Sequence, residues 1–230
     1  MLDFDTQRCS RCSVSKLCLP VGLNDLPSDL PEGIVIKRYK LTKGDALFRI
    51  GDKFKNFFAL KCGSCKTFSL TEDGREQITS FYFGGELIGF DAVASGEYSS
   101  TLEALEDSVV CEISYANLLE ISNTNPKLQN YIIMLMSQRM NFDHSVHFNT
   151  TASERLASFL LNYSVRMRRA FPRQTQHHFS MSRQEIGSYL GLSAETVCRV
   201  MRKLQNDNII SCSGKYFMIE DSRSLQKLAC

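Results

Sequence analysis

Thiolates are soft metal donors, and three cysteines crowd the start of this chain. In RCSRCSVSKLCLP, Cys9, Cys12 and Cys18 follow the spacing Cys-x2-Cys-x5-Cys, within a polar segment that has no apolar core of its own. Three thiolates this close can wrap one face of a metal centre, and they suit zinc or an iron–sulfur cluster. A fourth donor must come from elsewhere. The chain holds nine cysteines, an odd number, and in a cytosolic setting this argues against a disulfide framework and towards metal or redox chemistry. Cys62 and Cys65 form a CxxC, but they flank a Gly63-Ser64 turn and lack a second pair at zinc-ribbon spacing, so they read as ordinary thiols. Cys198, Cys212 and Cys230 lack partner spacing. Cys111, in SVVCEIS, reads from its surroundings alone as a small buried hydrophobe on a strand.

A second stretch, Ser182 to Asn206, carries a different chemistry. Ser182 followed by Glu185 is a capping box and predicts a helix start. Ile186, Tyr189 and Leu190 lie at helical spacing, and Gly191 breaks the pattern. Ser193 can cap a second helix whose inner face is Val197, Val200, Met201 and Leu204, at i, i+3, i+4 and i+7. Its other face carries Glu195, Cys198, Arg199 and Arg202. Two short helices joined by a tight turn predict a helix-turn-helix, whose second helix lies in the major groove of double-stranded DNA. Glutamate accepts from cytosine N4 and arginine forks onto guanine N7 and O6, so Glu195 and Arg199 are suited to read a C·G region together.

Charge distribution supports this assignment. The net charge of the 230 residues is only +2. From Thr150 onward, however, 12 Lys/Arg face 6 Asp/Glu, whereas the preceding part has 15 against 19. A basic C-terminal part on an acidic remainder fits a nucleic-acid reader, because neutralised phosphates release counterions. Hydrophobic content of 43% is ordinary for a globular protein. No run reaches the ~18 apolar residues of a membrane span. With Asp3 and Asp5 the N-terminus does not resemble a signal peptide, so a cytoplasmic location without membrane association is expected.

The elements that must position these residues fall into an α+β order. Residues 1–24 form the cysteine-rich arm. Residues 25–114 alternate short strand-like runs with glycine turns, which predicts an antiparallel β-roll. Residues 115–149 read as a short helix and then a long one opened by Asn125-Pro126. On the long helix Ile133, Met136, Met140, Asp143 and His147 repeat at a heptad spacing that suits pairing with a second copy. Leu128, Ile132, Leu135, Phe142 and Val146 form a neighbouring stripe for the β-roll. Residues 150–230 hold a helix, the helix-turn-helix and two strands around Ser213-Gly214 that would form the wing of a winged helix. His177 and His178 are expected in a solvated loop.

Taken together, the parts resemble the oxygen-responsive FNR regulators within the cAMP receptor protein (CRP/FNR) family. KGDALFRIGD is similar to the glycine turn of the family's cyclic-nucleotide-binding-like β-roll. TEDGREQIT, GGELIGFDA, VCEI and QEIGSYLGL also resemble segments of the FNR branch. The resemblance implies that Cys9, Cys12, Cys18 and Cys111 bind a [4Fe-4S] cluster, for which four thiolates are suitable ligands. It implies a long dimerisation helix, a homodimer on inverted TTGAT-like half-sites, and RNA polymerase contact through the turn at Asp73, Gly74 and Arg75. It further implies that cluster loss to oxygen or nitric oxide switches the regulator off, in activation or repression. Cyclic nucleotide is not expected, because Ser99-Ser100 stands where that branch places Arg-Ser, and a buried cyclic phosphate would lack its charge partner. Three departures are visible: Cys198 replaces a serine in the recognition pattern, His147 replaces an apolar seam residue, and the connection at 149–153 is short.

The same cysteines could instead hold structural zinc or act by thiol redox chemistry in such a regulator. An electron-transfer protein would need a redox-partner site or cofactor pocket, and the sequence holds no motif for one, so enzymatic function is not expected. The seam itself generates a prediction. Asp143 would face its own copy across the helix pair, where two carboxylates out of water repel. Asp143→Ala is therefore expected to remain dimeric in air without any cluster, and a monomer in sedimentation would remove Asp143 from the seam.

Overall fold

The computed structural model describes residues 35–147, 151–170 and 176–229, with residues 142–147 described by their backbone alone. Cys9, Cys12, Cys18 and Cys230 lie outside the described residues. No helix among those described is long and apolar enough to cross a membrane.

Runs of aromatic and β-branched residues between glycine turns make eight strands, as their propensity requires. These are β1 (Val35–Leu41), β2 (Ala46–Phe48), β3 (Asn56–Cys62), β4 (Ser64–Leu70), β5 (Glu76–Phe83), β6 (Leu87–Ile88), β7 (Thr101–Ala104) and β8 (Ser108–Ser114). They form two four-stranded sheets, ordered β1-β8-β3-β6 and β2-β7-β4-β5. Leu41, Phe48, Phe58, Leu60, Tyr82, Ile88, Tyr98, Leu102 and Val110 fill one core cluster. Phe48 stacks on Tyr98 with ring centroids 3.8 Å apart. β6 stops at Ile88, and Phe90–Ala92 turns into a short 3-10 helix.

A second layer covers the roll from outside. Ser114 caps α1 (Tyr115–Thr124), its hydroxyl accepting from Asn117 N at 3.2 Å. Asn125 Oδ1 accepts from Leu128 N at 3.1 Å at the start of α2 (Pro126–His147), with Pro126 in the first helical position, where its missing N–H costs nothing. Phe57, Ala59, Leu87 and Ile113 from the sheet pack with Leu118 of α1 and Leu128 of α2. Burial of a leucine to the 2% and 0% exposure of Leu118 and Leu128 stabilises by about 1.5–3 kcal/mol each.

By packing, the described parts of Met1–Ser69 and Thr79–Ser137 form one compact unit, and the described parts of Leu70–Ile78 and Gln138–Cys230 a second. The second contains α3 (Ala152–Ala170), β9 (His177–His178), α4 (Arg183–Leu190), α5 (Ala194–Asn206), β10 (Ile210–Ser213), β11 (Tyr216–Ile219) and α6 (Ser222–Leu228). The three strands pair antiparallel in the order β10-β11-β9.

Two features depart from the sequence-based expectation. His177 is not in a solvated loop: it pairs with Phe217 in β9–β11 and is only 2% exposed. Its Nε2 lies 2.8 Å from Ser164 Oγ, and burial together with the charge of Arg168 lowers its pKa. The final helix α6 was not anticipated; Asp221 caps it, accepting from Arg223 N and Ser224 N, and Leu225 is fully buried.

Gly187 on α4 has the tightest steric demand in the second unit. A Cβ there would sit 2.5 Å from Leu192 O and 3.3 Å from Ser193 C, in the turn that joins α4 to α5. Gly187→Ala is expected to destabilise by about 2–4 kcal/mol. Gly74→Ala meets open space and is expected to cost about 1 kcal/mol through its positive φ. Thermal unfolding of the two variants checks this, and equal small losses would show that the turn relaxes freely.

Candidate nucleic-acid interface and cysteine site

The capping box predicted at Ser182 forms: its hydroxyl accepts from Glu185 N at 3.1 Å, and Glu185 Oε2 accepts from Ser182 N at 2.7 Å. Gly191 ends α4 in the left-handed region, and Leu192 N reaches back to Gly187 O at 2.8 Å. Arg155 on α3 donates from Nη1 to Leu190 O at 3.1 Å, satisfying a carbonyl at the end of α4. Ser193 then caps α5, accepting from Thr196 N at 3.1 Å. Together these bonds fix the angle at which α5 leaves the turn.

α5 is two-faced. Val197, Val200, Met201 and Leu204 are at most 4% exposed and make the inner face. Glu195, Cys198, Arg199 and Arg202 are all exposed and share the outer face, so the four predicted residues are brought together. In the same unit, Tyr163, Phe179 and Phe217 pack ring against ring, with Phe179 and Phe217 stacked at 4.4 Å. That aromatic base, with Tyr163 donating to His178 O, joins α3 to the β9–β11 sheet. A rigid support of this kind lets an exposed helix present its side chains in a fixed pattern.

In the first unit β8 determines the setting of the predicted cysteine. Val110 belongs to the roll interior. Cys111 packs on the opposite layer, against the cluster of Ala59, Ile113, Leu118 and Leu128. Its thiol is partly exposed, and its backbone is paired in register with Arg38 of β1 and Ala59 of β3. Its neighbour Glu112 bonds Tyr39 Oη at 2.8 Å, and also bonds Asn56 Nδ2. This donor fits a thiolate-ligated centre in chemistry and access; Cys65 does not. Cys65 is fully buried and burial pushes its thiol up to about 12, so it stays protonated in the core, while Cys62 is exposed. Among the described residues no three His, Cys, Asp or Glu side chains gather as a metal site.

The turn at Asp73, Gly74 and Arg75 joins β4 to β5. Arg75 Nε donates to Asp73 Oδ2 at 2.6 Å, and Thr71 Oγ1 donates to Asp73 Oδ1 while accepting from Arg75 N at 3.2 Å. Bonding from Arg75 and then Thr71 holds the Asp73 carboxyl below its usual range. Near the 3-10 turn, Ser99 gives its hydroxyl to Asp91. On α2, Ile133, Met136 and Met140 are 62%, 39% and 62% exposed. Asp143 and His147 fall within α2, but their side chains lie outside the described residues.

Comparison with known proteins agrees with this geometry. Residues 38–125 match the cyclic nucleotide-binding domain family and residues 154–228 the Crp-like helix-turn-helix domain family. The fumarate and nitrate reduction regulatory proteins of Yersinia pestis and Vibrio cholerae are each 38% identical to the chain over 224 residues, covering 96% of this chain and 90% of theirs. The protein of that name from Escherichia coli K12 is 37% identical over the same span. The structure of FixK2 from Bradyrhizobium japonicum superposes with a TM-score of 0.74 at 23% identity, covering 84% of this chain and 97% of that one, and supports the fold. The chain thus belongs to the family of fumarate and nitrate reduction (FNR) regulators within the CRP/FNR group, which are DNA-binding transcription regulators and not enzymes.

Proposed function

We propose that this regulator is cytoplasmic, binds inverted TTGAT-like half-sites as a homodimer, and does so while Cys9, Cys12, Cys18 and Cys111 hold a [4Fe-4S] cluster. The observation that carries this reading is the setting of Cys111. Its thiol is accessible, and it shares an apolar layer with Leu118 of α1 and Leu128 of α2. When bound there, a cluster supplies a centre sensitive to oxygen or nitric oxide, held by four thiolates.

The chain's own residues carry the rest. Cys111, Ile113, Leu128 and Ile132 lie in one packed layer, so a shift of the β8 backbone at Cys111 is transmitted to the first turns of α2. Close packing leaves little room to absorb such a shift. The exposed Ile133, Met136 and Met140 then offer an apolar seam to the same residues of a second copy, with Asp143 and His147 next in the heptad by sequence. Pairing of two chains sets two α5 helices about 34 Å apart, one DNA turn. The 73–75 hairpin would serve RNA polymerase. Ser99 and Asp91 argue against a cyclic nucleotide effector, since a phosphate beside them meets a carboxylate instead of a cation.

An anaerobic preparation tests the reading directly. It is expected to be brown, to carry iron and sulfide, and to bleach in air with loss of dimer. Cys111→Ser is expected to lose most of the iron, as is replacement of Cys9, Cys12 or Cys18, whereas replacing Cys62, Cys65, Cys198, Cys212 or Cys230 is not. A colourless protein bearing zinc would overturn the cluster, and full iron and sulfide in Cys111→Ser would overturn the fourth ligand. At the DNA, Glu195→Ala and Arg199→Ala are each expected to cost ~1–3 kcal/mol on the specific site and to relax sequence preference there. Equal losses on specific and random duplexes, measured by fluorescence anisotropy, would place these side chains on phosphates.

A further inference from the structure

Strand register decides which charges stand beside Cys111. Tyr39 and Leu41 of β1 pack with the roll interior, as does Val110 of β8. Successive side chains of a strand face opposite ways, so Arg38 and Lys40 share the outer face with Val109 and Cys111. The antiparallel pairing sets Arg38 against Cys111 and Lys40 against Val109. Directly opposed residues hold their Cβ atoms about 5 Å apart. On the other side of Cys111 stand Ala59 of β3 and then Leu87 of β6. Arg38 is therefore the one charged side chain in the row Arg38, Cys111, Ala59 and Leu87 that crosses the sheet.

The two cations of β1 are not equivalent. Lys40 is exposed, whereas Arg38 is only partly so and its Nε is buried. A guanidinium keeps its charge at any working pH, and burial lessens the screening of that charge by salt. Glu112, the acid next to Cys111 in sequence, takes hydrogen bonds from Tyr39 and Asn56 and pairs with Phe58 of the interior. It does not share the face of the thiol. A centre held by four thiolates carries net negative charge, and groups just outside its ligands tune both its retention and its potential. We propose that Arg38 is a positioning residue for the cluster, acting through the Cys111 thiolate opposite it to hold the bound centre and to raise its reduction potential. The inference rests on the cluster reading above and adds the residue that sets how firmly Cys111 binds.

Three substitutions isolate the charge. Arg38→Gln removes it, Arg38→Lys restores it, and Lys40→Gln removes a charge two residues along the same face, opposite Val109. The pairing of β1 with β8 is made by backbone, so these changes leave the strands in register. Each full-length chain is prepared anaerobically, and its iron and sulfide, its rate of iron loss to a chelator and its reduction potential are measured. Arg38→Gln is expected to lose iron about tenfold faster than the unaltered chain and to titrate at a lower potential. Arg38→Lys is expected to recover most of both, and Lys40→Gln to match the unaltered chain. An unchanged potential in Arg38→Gln would overturn the proposal, even with faster iron loss, because a purely structural role moves retention alone. Equal effects in Lys40→Gln would also overturn it, by tracing them to overall charge. Failure of the cluster reading itself looks different: the unaltered chain would be colourless and free of sulfide, and the proposal would fall with it.

Discussion

A β-strand sends successive side chains to opposite faces, and β8 puts that period of two to use. Val110 enters the roll interior, whereas Cys111 emerges among residues that contact α1 and α2. A one-residue slip of β8 against β1 and β3 would exchange these faces, burying the thiol and exposing Val110. The register is held by the pairing of Arg38 and Ala59 to Cys111, and by Glu112, which takes hydrogen bonds from Tyr39 and Asn56. Which face of the sheet presents the Cys111 thiol depends on that register.

The second unit solves a different problem, that of presenting four side chains outward from a helix of thirteen residues. The Ser193 cap and the Arg155 bond to Leu190 satisfy backbone groups at both ends of the α4–α5 turn, and Ser182 caps the head of α4. The close approach at Gly187 keeps that turn short. The Tyr163, Phe179 and Phe217 rings form a base shared by α3 and the small sheet. Precision at the outer face of α5 follows from these inner contacts.

Much of this was legible in the sequence because it depends on local chemistry. The capping box at Ser182, the inner stripe of Val197, Val200, Met201 and Leu204, and Pro126 at the head of α2 each follow from spacing alone. His177 was not legible. Two adjacent histidines between helices look like a polar loop, and only its pairing with Phe217 and the rings around it bury it. The helix α6 was missed for a similar reason: SRSLQKL offers a single buried leucine, and its Asp221 cap is recognisable only once the helix is seen. Nor could spacing identify Cys111 as a candidate ligand, since a cysteine in an apolar strand looks the same whether it faces the interior or the helices.

Glu195, finally, bears on time as well as energy. A carboxylate on a surface that approaches the phosphate-lined groove is repelled by most sequences, and it is compensated only where a cytosine amino group meets it. It therefore weakens every mistaken encounter more than the correct one. For a regulator that must test a very large number of competing sites, shorter dwell on wrong DNA means faster scanning, so a glutamate proposed to read the target would also shorten the search for it.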